Sequence, residues 1–185
     1  MLLRCFSLAA ASALLAGAAS AQTMDFGCPK PGTTFVFDSG TSMTARSQDG
    51  MDCTMQFTDG KGFKVRALLF ANPAPDGSDI SAFIAAVKPE RLWPLAIGKK
   101  IEASYSAGGR SWTYILTVAR FEKRAGGPGD LPFDAFVIEM NEQGDKGQRS
   151  VSRWWVSPAE KYVLRFDWSN GAGGANRAIV TNIKH

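Results

Sequence analysis

The sequence predicts a mostly β, single-domain protein with a curved antiparallel sheet, either sandwich-like or barrel-like, of about nine strands. Three observations support this class: turn signals recur at short intervals, the runs between them alternate in polarity, and only one segment has helical spacing. Regular short strands separated by Gly-rich turns are typical of sandwiches, barrels and strongly curved sheets. The one short helix is expected at about residues 79–88.

The N-terminal half carries four β-prone runs separated by turns rich in Gly and Asp, which supply positive φ angles and side-chain caps. In the fourth run, apolar residues from Phe63 to Leu69 alternate with Lys64 and Arg66, which is the period of a half-buried strand. The runs are Thr33–Asp38, Ser42–Ser47, Met51–Thr58 and Phe63–Phe70.

The helical segment follows a loop rich in Pro and Gly. Four apolar residues fall at positions i, i+3, i+4 and i+7, on one face: Ile80, Phe83, Ile84 and Val87. Ser78 or Asp79 is the expected N-cap, and Pro89 lies beyond the end. The stripe covers about two turns and lacks a basic opposite face, so it favours a helix packed on the sheet over a membrane or partner helix.

The C-terminal half returns to strands that alternate in polarity. Trp112, Tyr114, Leu116 and Val118 share one face of their strand, and Tyr162, Leu164, Phe166 and Trp168 share a face of another. Gly-rich stretches at Ala125–Gly129 and Gly171–Gly174 are interpreted as turns, because neither lies between a strand and a clear helix as a phosphate-binding loop does. The predicted runs are Ile97–Tyr105, Ser111–Phe121, Phe133–Met140, Arg149–Val156, Tyr162–Trp168 and Asn176–Ile183.

The first 21 residues have the pattern of a secretory signal peptide. Arg4 precedes an apolar run from Leu8 to Ala18, and the small-x-small triplet Ala19–Ala21 precedes Gln22. No cysteine follows the small residues, so cleavage near Ala21/Gln22 is expected to leave a soluble periplasmic or secreted bacterial protein. We therefore expect a cleaved segment 1–21 and a single β-rich domain 22–185, with no integral membrane segment.

Charge gives little support to a nucleic-acid partner. The formal net charge is +4 at pH 7, with 21 Lys and Arg against 17 Asp and Glu. These residues are scattered singly, whereas phosphate-tracking surfaces cluster Lys and Arg. Possible partners are an envelope protein, a glycan or a lipid, and the oligomeric state is open.

Two cysteines remain once the signal segment is removed. Cys28 and Cys53 form an even pair in an oxidising compartment, which predicts a disulfide. A redox-active pair usually has the Cys-x-x-Cys spacing, and that motif is absent.

The chain has few residues of the types that catalysis needs, which predicts that it is not an enzyme. The single histidine, His185, is the last residue of the chain, so no Ser-His-Asp or Cys-His arrangement has a credible base. The same scarcity of His and Cys argues against a transition-metal site, and no cofactor is expected. Glu102, Glu139 and Asp167 lie on predicted strands and are the candidates for an alternative, a carboxylate-pair hydrolase acting on an envelope glycan.

The tryptophans are the candidate ligand contacts. All five lie in the second half of the chain, and two of them are adjacent on a predicted strand, where side chains point to opposite faces. Either both sheet faces are covered there, or one indole is exposed and available to stack on a ligand. The five are Trp93, Trp112, Trp154, Trp155 and Trp168.

Three local patterns between residues 92 and 168 resemble a broad group of bacterial periplasmic β-rich domains of unknown function. They are Leu92-Trp93-Pro94-Leu95-Ala96-Ile97-Gly98-Lys99, then Phe133-Asp134-Ala135-Phe136-Val137-Ile138, and finally Trp154-Trp155-Val156-Ser157-Pro158 followed by Tyr162-Val163-Leu164. The resemblance implies a curved antiparallel sheet and a role in the cell envelope. It brings no catalytic residues with it.

Together these observations predict a non-catalytic exported envelope protein that binds a peptide, glycan or lipophilic ligand on an aromatic-rich concave face. A second alternative, besides the hydrolase, is a structural protein that adds a strand to a partner's sheet.

Overall fold

The computed structural model describes residues 22–74, 77–125 and 131–185. The predicted signal segment and the Gly-rich stretch 126–129 lie outside these ranges. The strands are β1 (Thr23–Met24), β2 (Thr34–Phe37), β3 (Ser42–Asp49), β4 (Asp52–Phe57), β5 (Gly62–Arg66), β6 (Phe70–Asn72), β7 (Leu95–Ala96), β8 (Lys100–Ala107), β9 (Arg110–Ala125), β10 (Phe133–Gly144), β11 (Arg149–Ser157), β12 (Tyr162–Asn170) and β13 (Ala175–Lys184). The helices are α1 (Ser81–Val87) and a 3-10 helix (Pro89–Leu92).

Eleven of the strands form one antiparallel sheet, which confirms the predicted β class. The order is β6-β5-β4-β3-β2-β13-β12-β11-β10-β9-β8, so β2 pairs with the last strand and the two halves of the chain meet there. The two-residue strands β1 and β7 form a separate pair. Ten of the eleven strands correspond to the runs expected from the sequence.

The sheet is strongly curved and is not closed into a barrel. Phe70 of β6 and Trp154 of β11 have ring centroids 5.7 Å apart, although these strands are seven positions apart in the sheet. In a flat sheet the same strands would be about 34 Å apart, at about 4.8 Å per spacing. The concave face therefore wraps around the main apolar core, and β6 and β8 remain as edge strands.

The predicted run Phe63–Phe70 is wrong in one respect, because it breaks into two elements. Strand β5 ends at Arg66, and Ala67 and Leu68 have φ angles of 52° and 62°. Both residues are almost fully buried, so the chain turns back within the core instead of continuing along the sheet. The returning residues form β6, which the apolar alternation alone did not separate from β5.

Helix α1 lies between the two edge strands. Asn72 of β6 donates from Nδ2 to Ser81 Oγ at 2.9 Å, and its Oδ1 accepts the Ile80 N–H at 3.2 Å. On the other side, Phe83 makes an edge-to-face contact with Tyr105 of β8 at 5.8 Å. The helix thus fills the opening between the edges, in agreement with the prediction that it packs on the sheet.

The helix cap differs from the prediction. Ile80 occupies the N-cap position and provides no side-chain cap. Asp79 lies one residue earlier, and its Oδ1 accepts the Ser81 N–H at 2.9 Å. The carboxylate is therefore near the first turn, but one position outside the expected N-cap geometry.

The pattern around Trp93 joins the halves of the molecule. The Trp93 indole is buried and donates from Nε1 to the Ala67 carbonyl at 3.2 Å, while Lys99 Nζ donates to the Trp93 carbonyl at 2.8 Å. Gly98 has a φ of 84°, a region that glycine tolerates without strain. This Trp-Pro-Leu-x-x-Gly-Lys pattern therefore has a structural explanation.

The predicted disulfide between Cys28 and Cys53 is confirmed, with Cα atoms 5.5 Å apart. It ties the segment before β2 to β4. Cys53 is fully buried in the main core, and Cys28 packs against it.

Candidate functional site

An apolar groove opens on the concave face between α1, β6 and the strands β10 to β12. Its volume is about 670 Å³, within the range of about 300–1,000 Å³ typical of small-molecule sites. Among the described residues that line it, only Glu142 and Ser152 carry side-chain oxygen. The others are Leu69, Phe70, Ala71, Ala74, Ile80, Phe83, Met140, Trp154, Phe166 and Trp168.

Four aromatic side chains form a continuous wall of this groove, which we call the aromatic wall: Phe83, Phe70, Trp154 and Phe166. Phe83 meets Phe70 edge-to-face at 5.2 Å, Phe70 meets Trp154 at 5.7 Å, and Trp154 meets Phe166 at 5.5 Å. These rings come from α1, β6, β11 and β12. The wall exists because the curvature of the sheet brings β6 next to β11.

A smaller recess of about 200 Å³ adjoins the groove and extends its apolar surface. The recess and the groove share Leu69, Ala71, Trp154 and Phe166 as lining residues. The described lining of the recess carries no charged side chain, and Tyr162 supplies its only hydroxyl group. The linings of the groove and of the recess are therefore both predominantly apolar.

Glu142 is the one charged side chain among the described residues that line the groove. It follows Ile138 and Met140 on the inner face of β10, near the turn that leads to β11. Its Oε2 accepts a hydrogen bond from Ser150 Oγ at 2.6 Å. It is in none of the ion pairs found within residues 22–74, 77–125 and 131–185.

Burial governs the protonation of Glu142. Removal from water disfavours the carboxylate and raises the pKa of Glu142, while the hydrogen bond from Ser150 acts in the opposite direction and is the smaller effect. Opposite the partly buried Glu142, Tyr114 of β9 is buried. Burial, with the nearby charge of Glu142, raises the pKa of Tyr114 to about 12. The tyrosine therefore stays neutral next to the carboxylate.

The structure brings together only some of the five tryptophans. Trp154 and Trp168 line the groove, and Trp112 lies half-buried on the same face of the sheet, next to Gly144. Trp93 is in the core beside Phe26. Trp155 lies on the opposite face of the sheet, so its indole does not contribute to the groove.

Trp154 and Trp155 are both buried, because both faces of β11 are covered. Trp154 lies in the main core, with 6% of its surface exposed. Trp155 packs with Ala135 and Val137 in a small outer cluster. The Arg165 guanidinium lies 4.2 Å above the Trp155 ring, and Nε1 of that indole donates to Glu122 Oε2 at 2.8 Å.

The three carboxylates considered for a hydrolase are on the outer face of the sheet and are all in ion pairs. Glu102 is 3.7 Å from Lys100, and Asp167 accepts a hydrogen bond from Arg165 Nε at 3.1 Å. Glu139 contacts Arg120 at 2.8 Å and Arg153 at 3.2 Å. None of the three lines the groove.

A second cavity, of about 700 Å³, lies at the opposite end of the sheet and includes Gln22 and His185 in its walls. Its two acidic residues both have partners. Asp134 Oδ1 accepts the Arg124 N–H at 3.0 Å, and Glu160 lies 3.9 Å from His185 Nε2. Asp134 is exposed, whereas Glu142 is partly buried in the groove and has no ion pair among the described residues, so the groove is the stronger candidate site.

Two further features of the described residues bear on function. No group of three or more His, Cys, Asp or Glu side chains converges there on a possible metal position. No helix in that part of the chain is long and apolar enough to cross a membrane.

Sequence reasoning missed Glu142 because the predicted strand stopped at Met140. The signal was nevertheless present: Glu142 has the same parity as Phe136, Ile138 and Met140, all buried on the inner face. A carboxylate that continues an apolar face is unusual enough to mark a candidate.

Comparison with known proteins gives little further information. No family model matches the chain, and no curated protein matches it. Among solved structures, the hypothetical lipoprotein YmcC from Escherichia coli (K12) is similar at 9% sequence identity with a TM-score of 0.42, over 81% of this chain and 82% of that one.

Proposed function

We propose that this protein is a non-catalytic, exported binding protein of the cell envelope that holds a lipophilic ligand in the groove. The observation that carries the proposal is the groove itself, with its aromatic wall and only two oxygen-bearing side chains among the described lining residues. The adjoining recess, which shares four lining residues with the groove, is also apolar.

The chemistry of the lining favours a lipophilic ligand over a glycan or a peptide. A glycan needs many hydrogen-bond partners, because each buried hydroxyl without one loses about 1–3 kcal/mol. Glu142 and Ser152 are too few to supply them. An alkyl chain needs only apolar contact, which contributes about 25 cal/mol for each Å² removed from water.

Binding is tested with N-phenyl-1-naphthylamine, a neutral probe whose fluorescence rises in apolar sites. We expect saturable binding to the purified protein. Ala74→Trp, which places an indole in the groove, should weaken it at least tenfold, whereas the matched control Ala172→Trp, in the exposed β12–β13 turn, should not. Equal binding by wild type and Ala74→Trp, or no saturable binding, would reject the groove as the site.

A further inference from the structure

We propose that the ligand is a cationic amphiphile, whose ammonium group pairs with Glu142 and whose apolar chain lies along the aromatic wall. This inference rests on the proposed function and specifies the ligand's chemistry. The apolar lining selects for a lipophilic ligand but not for its charge. The charge preference is inferred from Glu142.

The first step concerns Glu142 and its partners. Its carboxylate is partly removed from water, and its only described hydrogen bond is the one from Ser150. The other acids of the sheet that were singled out, Glu102, Glu139 and Asp167, each have a basic partner. A carboxylate left in an apolar site without a cation is costly, and a cationic ligand removes that cost by supplying the missing charge.

The second step concerns the surroundings of the carboxylate. Trp154, Phe166 and Trp168 line the groove with Glu142, and no Lys or Arg is among its described lining residues. Aromatic faces attract cations, most strongly when the site is shielded from water. The same groove would disfavour a carboxylate or sulfate headgroup, because Glu142 would repel it. The carboxylate and the aromatic rings thus both favour a positively charged ligand.

The third step concerns the room available for the chain of the ligand. Trp154 and Phe166 line both the groove and the neighbouring recess. A ligand with its cation at Glu142 can therefore place its alkyl chain against these two rings. Each methylene that the groove buries adds to the affinity, so the chain supplies affinity and Glu142 supplies selectivity for charge.

The test compares three probes with the same twelve-carbon chain: dodecyltrimethylammonium, 1-dodecanol and dodecanoate. Each is titrated calorimetrically at pH 8, the two ions below their micelle concentrations and the alcohol below its solubility limit. We expect dodecyltrimethylammonium to bind at least tenfold more tightly than 1-dodecanol, and dodecanoate to bind most weakly. Glu142→Gln should remove the preference for the cation, so that dodecyltrimethylammonium and 1-dodecanol bind this variant within about twofold of each other. Glu102→Gln is the matched control, because it removes an exposed carboxylate on the outer face. It should change neither affinity.

The outcomes separate this inference from the proposed function. If all three probes bind equally, or if Glu142→Gln keeps the cation preference, the cationic ligand is rejected while lipophilic binding stands. If dodecanoate binds most tightly, the assigned sign of charge is wrong. If none of the probes binds, both proposals fail.

Discussion

Glu142 links the chemistry of the groove to the stability of the fold. Its pKa is raised in the folded protein, so between its ordinary pKa and the raised one the folded state holds a proton that the unfolded state has released. Stability therefore falls as pH rises through that window, and the loss is complete above the raised pKa. The facing groups, Tyr114 and Ser150, carry no charge near neutral pH.

Glu142→Gln should consequently stabilise the protein, because it removes the buried charge and keeps an oxygen to accept the hydrogen bond from Ser150. We expect a higher Tm than wild type at pH 8 and a much smaller difference at pH 3.5, measured by thermal unfolding followed by circular dichroism. Glu102→Gln serves as the control and should show no such pH-dependent gain. A lower Tm for Glu142→Gln at pH 8 would contradict the assignment.

Trp155 depends on Glu122 for its only described side-chain hydrogen bond. Because the indole is 96% buried, Glu122→Ala leaves its Nε1–H without that partner and should lower the free energy of unfolding by about 1–3 kcal/mol. Glu122→Gln keeps an acceptor and should lose less. Urea denaturation of both variants measures this difference, and equal losses would show that the hydrogen bond to Trp155 is not the cause.

Helix α1 is held to the edge of the sheet by Asn72. Two hydrogen bonds connect that side chain to Ile80 and Ser81, and a typical net contribution is about 0.5–1.5 kcal/mol each. Asn72→Ala should therefore lower stability by about 1–3 kcal/mol and speed hydrogen exchange at the amides of Ile84 and Lys88. Asn141→Ala, on an exposed position of β10, is the matched control. Unchanged exchange in α1 would exclude Asn72 as the tether.

The disulfide links the segment before β2 to β4. Cys28 and Cys53 are 25 residues apart, and closing such a loop stabilises by about 3.5 kcal/mol in the chain-entropy model. The double variant Cys28→Ser and Cys53→Ser should therefore unfold at a clearly lower denaturant concentration. Reduced wild type should match the variant. A loss below about 1 kcal/mol in both would show that β2–β4 are held by packing alone.

At the level of elements, the periodicity of apolar residues predicted the long strands and the helix. The alternation of Trp112 to Val118 and of Tyr162 to Trp168 located β9 and β12, and the spacing of Ile80 to Val87 located α1. Periodicity did not reveal the break after Arg66, because Ala67 to Phe70 continue the apolar pattern through a buried turn. It also did not reveal the two-residue strands, which depend on pairing between distant segments.

A curved sheet with an aromatic-rich face was predicted, but the residues that form the groove were not, because their meeting depends on how far the sheet bends. Phe70 and Phe83 are far in the chain from Trp154 and Phe166, and only the bending of an eleven-stranded sheet brings them together. The tryptophans suggested an aromatic face, and two of them line the groove. Strand parity correctly placed Trp154 and Trp155 on opposite faces, but did not indicate that Arg165 covers Trp155.

The whole molecule is a curved sheet whose open side is filled by α1, with an apolar groove between the helix and the strands. In this arrangement binding requires no large change in the sheet, since the groove is already formed. The proposed function therefore predicts that ligand binding raises the free energy of unfolding by mass action, because the ligand binds only the folded state. A ligand present at 100 times its Kd should stabilise the protein by about 2.7 kcal/mol.

The most direct test is native mass spectrometry of the protein purified from its bacterial host without detergent, in parallel with the Ala74→Trp variant. We expect the wild type to carry an additional mass that is released on collisional activation and extracts into organic solvent. Ala74→Trp should carry much less of it. A wild-type spectrum free of any retained lipophile, together with no binding of N-phenyl-1-naphthylamine, would contradict the account.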